Sequence, residues 1–259
     1  KILKGRKLAK NADYYAFTAT PKNKTLEMFG EKSYDENGEV TFKPFHEYTM
    51  KQAIEEGFIL DVLKYYTPYK SYYRILKATE DDPRYDKKKA QGKLRAYVEA
   101  QPETIEKKAE IIVEHFCKKV YMKIGGKARA MLVTSSIERA IEFYKVITRM
   151  LEERNSPYRA IVAFTDKVID GKLVTESSLN GFPSAEIESR MEEEPYRILV
   201  VANKYQTGYD QPLLHTMYVD KQLSSVKAVQ TLSRLNRCHP KKQDTFVLDF
   251  ANDPEVIKQ

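Results

Sequence analysis

Cysteine is nearly absent from this chain. Only Cys117 and Cys238 occur, far apart and with no CxxC pair, which argues against a disulfide framework and a zinc site and favours a reducing compartment, the cytoplasm. Histidine is equally sparse: His46, His115, His215 and His239 are scattered without metal-ligand spacing, so no metal site is expected. No apolar run approaches the roughly 20 residues that a membrane-spanning helix needs, and no secretory signal is found, so no membrane partner is expected. A G-x-x-x-x-G-K-[ST] loop for cradling phosphates is missing as well. Gly125-Gly126-Lys127-Ala128 lacks the earlier glycine and the magnesium-holding hydroxyl, and reads as a basic turn before a strand. Nor does an initiating Met stand before Lys1, which suggests a piece of something larger.

What remains is ample for a packed core. The chain has 259 residues, 42% of them hydrophobic, enough for one large domain or two small ones. Charged residues make up 31%, with a net charge of +7 and a pI near 9.1, which gives mild support to a polyanionic partner such as nucleic acid. The stretch 84–95 adds Lys87, Lys88, Lys89, Lys93 and Arg95; a charge run of this kind is more often a solvated helix face than a phosphate track.

From residue 130 onward, short β-branched runs alternate with amphipathic stretches, the pattern of a parallel α/β sheet with helices on both faces. Strands are expected at 130–134, 160–164, 198–202, 216–219 and 245–248. The clearest helix follows the first strand, with Ser135 and Glu138 as a capping box and Ile137, Ala140, Ile141, Tyr144, Ile147 and Leu151 as its buried stripe. Further helices are expected near 184–193 and 225–236. Upstream, 14–18 reads as a strand ending at Thr20-Pro21, 22–41 as a loop with turns at Gly30 and Asn37-Gly38, the latter a candidate hairpin, and 50–56 as a short helix. A helix is expected over 103–119. The division that results is 1–21, the end of one domain; 22–104, a connecting region; and 105–259, a second domain.

The helix expected over 225–236 carries the chemistry. Gln230, Arg234 and Arg237 are spaced i, i+4, i+7, so on a continuous helix they share one narrow face, opposite Ala228, Leu232 and Leu235. Two guanidiniums on one face call for an anion, and a terminal phosphate under hydrolysis is stabilised by such side chains. Two surface arginines paired to local carboxylates would look the same, so the motif alone is evenly balanced. Upstream, the strand at 198–202 runs into Thr207-Gly208-Tyr209-Asp210, where Gly208 would let the backbone approach a ligand, Thr207 could bind a phosphate and Asp210 a ribose or an arginine.

Together these two segments resemble motifs V and VI of superfamily 2 helicases and translocases. FTATP (17–21) resembles motif III, and Met131 to Ser136 stands where motif IV would. FTATPKNKTLEMFG (17–30) and YTMKQAIEEGFILDVL (48–63) resemble more narrowly the motor (R) subunit of type I restriction endonucleases. This implies a RecA-like second motor lobe, preceded by the end of the first lobe, in an ATP-hydrolysing type I site-specific deoxyribonuclease that translocates double-stranded DNA beside specificity and modification subunits. It also implies that Arg237 is an arginine finger, Arg234 a second contact to the γ-phosphate, and Gln230 a positioner of the attacking water or the phosphate. Thr207, Thr134 and Ser135 would touch the DNA backbone, Gly208 and Asp210 would couple nucleotide to DNA, and Thr18 and Thr20 would transmit hydrolysis between lobes. ATP and Mg2+ would be held mainly by the first lobe. No DEAD- or DEAH-like quartet occurs here and Asp170-Gly-Lys172 lacks the partners of a nuclease site, so the isolated chain is expected to be inactive and to hold no cofactor tightly. The competing readings are another superfamily 2 motor, of the remodelling or type III restriction kind, and a non-catalytic DNA- or subunit-binding module.

Overall fold

The computed structural model describes residues 14–18, 20–69, 105–169, 171–205, 208–252 and 257, and divides the chain into two compact units, 1–56 and 57–259. The expectations at 84–95 and at Thr207 lie outside the described residues.

In the first unit, 14–18 joins no sheet, so the expected strand is corrected: a strand exists through its neighbours' hydrogen bonds, and none pairs with it among the described residues. The expected loop also holds more structure. Helix α1 (Asn23–Phe29) precedes a two-stranded antiparallel hairpin, β1 (Glu31–Tyr34) and β2 (Val40–Lys43), which turns at Asn37-Gly38 with Gly38 at φ 81°. Helix α2 (Met50–Glu55) starts with a capping box in which Thr49 and Gln52 each accept the other's backbone N–H.

The second unit is the α/β domain. Its described strands β3 (Tyr66–Pro68), β4 (Arg129–Thr134), β5 (Arg159–Ala163), β8 (Tyr196–Ala202), β9 (Leu214–Asp220) and β10 (Phe246–Asp249) form one parallel sheet in the order β3-β10-β9-β4-β8-β5. A small hairpin, β6 (Lys167–Ile169) with β7 (Lys172–Val174), stands apart from it and is followed by helix α5 (Glu176–Asn180). The domain boundary therefore falls earlier than residue 105, because Tyr66 to Pro68 pair in register with Val247 to Asp249 and add an edge strand to this sheet.

Side-chain alternation places helices on both faces. Ala130, Leu132, Ile198 and Val200 point into a core with α3 (Ile105–His115) and α4 (Ile137–Glu153). Met131, Val133, Leu199 and Val201 point the other way, into a core with α6 (Ile187–Arg190) and α7 (Ser225–Leu232). Each such residue is fully buried, which contributes roughly 1.5–3 kcal/mol for each side chain larger than alanine and explains why these strands lack polar alternation. This is the parallel α/β sheet with helices on both faces that the sequence leads one to expect.

Buried polar groups tie the layers together. Asp220, at the end of β9, accepts Lys108 Nζ at 2.7 Å from α3 and Arg139 Nε and Nη2 at 2.8 and 2.6 Å from α4. Arg129 is buried, and its guanidinium donates to the carbonyls of Met191, Lys127 and Glu192 at 2.8, 2.7 and 3.1 Å. Between the sheet and α3, His115 Nδ1 lies 2.8 Å from the Tyr218 hydroxyl, and burial pushes the imidazole down to about 4, so it is neutral near pH 7. On the outer side of edge strand β5, the Asn180 amide accepts the Val162 N–H and donates to the Val162 carbonyl, blunting the open edge.

Candidate functional site

The C-terminal ends of parallel strands are where an open α/β sheet gathers its ligand-binding loops. After β4 the chain passes exposed Ser135 and enters α4, whose N-cap is Ser136 and not Ser135. A capping hydroxyl accepts an N–H two or three residues further on, and it is the Ser136 hydroxyl that accepts Arg139 N–H, at 3.2 Å. Thr134 is also corrected as a side-chain contact to DNA. It is fully buried, and its hydroxyl is 3.0 and 3.1 Å from the carbonyls of Ser136 and Val201.

After β8 the backbone takes left-handed conformations at two non-glycine residues, Asn203 (φ 63°) and Tyr205 (φ 62°). Such residues cost of order 1–3 kcal/mol unless their surroundings hold them. Here Lys221 Nζ bonds Asn203 Oδ1 at 2.6 Å, and Lys204 Nζ bonds both carboxylate oxygens of buried Glu176 at 2.8 and 2.7 Å. Gly208 has φ 77°, and a Cβ added there would meet nothing within 4 Å. Conformation, then, and not crowding by the protein, asks for glycine at this turn.

The turn is gripped from the other side by the arginine segment, though not as a continuous helix would grip it. Helix α7 stops at Leu232, four residues short of the expected end. Arg234 stands in the turn that follows, and Arg237 lies beyond it, outside any helix or strand. The expected single face of Gln230, Arg234 and Arg237 is corrected accordingly; only Gln230 is helical. Ala228, Leu232 and Leu235 are buried as expected, but Leu235 reaches the core by a turn.

Both arginines nonetheless converge on the segment after β8. Arg234 Nη1 donates to the Tyr209 carbonyl at 3.1 Å and its Nε to the Gln230 carbonyl at 3.3 Å. Arg237 Nε lies 2.9 Å from Asp210 Oδ1 without hydrogen-bond alignment, so that contact is coulombic. Asp210 is 69% exposed and Arg237 40% exposed. Burial lowers the Arg234 pKa, and the neighbouring Arg237 charge adds to the effect. Two guanidiniums against one carboxylate leave a net positive charge at an open edge, suited to an anion.

Thr18 and Thr20 lie in the first unit, where the Thr20 N–H donates to the Thr18 hydroxyl at 3.3 Å. Among the described residues no group of three His, Cys, Asp or Glu is placed to hold a metal ion, and no helix is long and apolar enough to cross a membrane. Sequence reasoning missed Lys242, which is buried and bonds the backbone around Arg237; a lysine in Pro-Lys-Lys carries no signal of burial.

Residues 172–252 match the family model described as type I restriction enzyme subunit R domain 3. A putative type I restriction enzyme MjaIXP endonuclease subunit of Methanocaldococcus jannaschii is 30% identical over 151 residues, covering 56% of this chain and 14% of that protein. The type I restriction enzyme SauMRSORF196P endonuclease subunit of Staphylococcus aureus is 23% identical over 263 residues, covering 88% of this chain and 26% of that protein. The chain thus spans about a quarter or less of these relatives. Among solved structures, a fragment of a putative HsdR subunit of a type I restriction enzyme from Vibrio vulnificus superposes with a TM-score of 0.49 at 16% identity, covering 84% of this chain and 38% of that one. The sequence resemblance to the R subunit is borne out.

Proposed function

We propose, on the premise that this chain is a helicase-like part of a type I restriction enzyme R subunit, that it is the second lobe of a motor that couples ATP hydrolysis to translocation of duplex DNA. The observation that carries the reading is the convergence of Arg234 and Arg237 on Tyr209 and Asp210. In hydrolysis of a terminal phosphate, catalysis is largely positioning and charge stabilisation, which a guanidinium supplies. Arg237 would meet the terminal phosphate, exchanging its loose pairing with exposed Asp210 for a stronger anion. Arg234 would keep the Asp210 turn in reach by holding the Tyr209 carbonyl, and Gln230 would position the water or the phosphate. On the DNA side, Ser135 at the start of α4, with Thr207, would contact the backbone.

These residues fit one side of a nucleotide and no more, since the sequence holds no phosphate loop. ATP and Mg2+ would be bound mainly by a first lobe, and the complete protein, an ATP-hydrolysing type I deoxyribonuclease, would act with specificity and modification subunits in the cytoplasm. Purified alone, this chain is expected to show no ATP hydrolysis above background with or without duplex DNA; DNA-stimulated hydrolysis in a phosphate-release assay would refute this division of labour.

A further inference from the structure

The arginine proposed to act on the phosphate has no helix to hold it. Helix α7 ends at Leu232, and Arg237 follows five residues later, outside any helix or strand. A guanidinium that must meet a transition state within about half an ångström needs its backbone fixed by something else.

Among its anchors, two act on the backbone carbonyls at and beside Arg237. The Asn236 carbonyl accepts the Leu60 N–H at 3.0 Å, which ties the segment to the stretch leading into β3. The second anchor is Lys242, whose Nζ donates to the carbonyls of Leu235 at 2.7 Å and Arg237 at 3.0 Å. One ammonium thus bridges the carbonyls on either side of Asn236, including that of Arg237 itself. The returning chain is fixed by the Lys242 N–H bonding the His239 carbonyl at 2.8 Å.

We propose, building on the motor reading above, that Lys242 is a positioning residue for Arg237: its buried ammonium gathers the Leu235 and Arg237 carbonyls and so sets where the Arg237 guanidinium stands. A stem as apolar as methionine would fill the same space without the cost of burying a charge, so packing alone does not account for lysine here. That cost is visible, since Lys242 is 6% exposed and burial pushes its pKa down to about 8.

The test is a double-mutant cycle in the complete R subunit, with kcat and KM for DNA-stimulated ATP hydrolysis measured alongside Tm. Lys242→Met is expected to lower kcat about 10²-fold, as misplacement of a catalytic group by about an ångström does, with KM changed less than about threefold. Lys242→Arg, which keeps the donors, is expected to restore most of the rate. In an Arg237→Ala background, Lys242→Met should cost nothing further, because residues that act as a unit are not additive. Should Lys242→Met not fold, Lys242→Gln serves in its place. Unchanged kcat in the single variant, or an equal loss in both backgrounds, overturns the positioning role while leaving the motor reading intact. If Arg237→Ala itself leaves hydrolysis unchanged, the motor reading fails and this inference fails with it.

Discussion

Replacing Arg237 with Ala in the complete R subunit is expected to lower DNA-stimulated ATP hydrolysis on the order of 10³-fold, the scale associated with losing an arginine finger. Nothing else of that size should change. Arg237 makes an unaligned contact to Asp210, which is 69% exposed and stays solvated when its partner is removed. Exposed pairs of this kind are worth at most about 1 kcal/mol, so the melting temperature should hardly move. Because the rate falls while the fold stands, circular dichroism on the same preparation separates a lost catalytic group from a lost structure. Steady-state phosphate release measures the rate; a variant as active as the parent would mean that the net positive charge beside Asp210 serves something other than hydrolysis.

Asp220→Ala should act the opposite way, on stability first. The Asp220 carboxylate is nearly buried and receives Lys108, whose side chain is 12% exposed, and Arg139, 34% exposed. Removing one member of a buried ion cluster leaves the rest as uncompensated charge, a loss of about 3–5 kcal/mol. Arg139 can swing toward water and soften its share, whereas Lys108 is confined between α3 and the sheet. The same three residues join α3 and α4 to the end of β9, so unfolding of the second unit as a whole should be affected. Urea denaturation followed by circular dichroism measures it. A change below about 1 kcal/mol would mean that the cations find other partners and that the cluster does not hold the layers.

The strands β4, β5, β8, β9 and β10 were legible because burial on both faces writes continuous β-branched runs, and α4 because its stripe repeats at the helical period over 17 residues. Asn37-Gly38 announced its hairpin through the positive φ that the turn demands. Helix α1 was read as loop because it buries no residue, so no apolar stripe marks it. The end of α7 was misplaced for a related reason: Leu235 keeps the apolar period but is buried from a turn, and no glycine or proline intervenes before Pro240 to signal the stop. Strand β3 is three residues long in a tyrosine-rich stretch, and only its pairing with β10 identifies it.

The site was legible as a set of residue types and less so as a geometry. Arg234 and Arg237 could be chosen from the motif, but their meeting with Tyr209 and Asp210 depends on a turn that no periodicity describes. Thr134 shows the opposite error, since a hydroxyl at a strand end looks available in sequence and is fully buried in the fold. Lys242 could not be found at all, because what makes it matter is two backbone carbonyls that a sequence does not display.

The central claim, that this lobe belongs to a motor moving along duplex DNA, is tested most directly by displacement of a triplex-forming strand from linear DNA by the complete R subunit assembled with its partner subunits. Displacement should require ATP, be delayed in proportion to the distance between the recognition site and the triplex, and vanish in Arg237→Ala. Displacement that proceeds without ATP hydrolysis, or that survives the Arg237→Ala change, would contradict it.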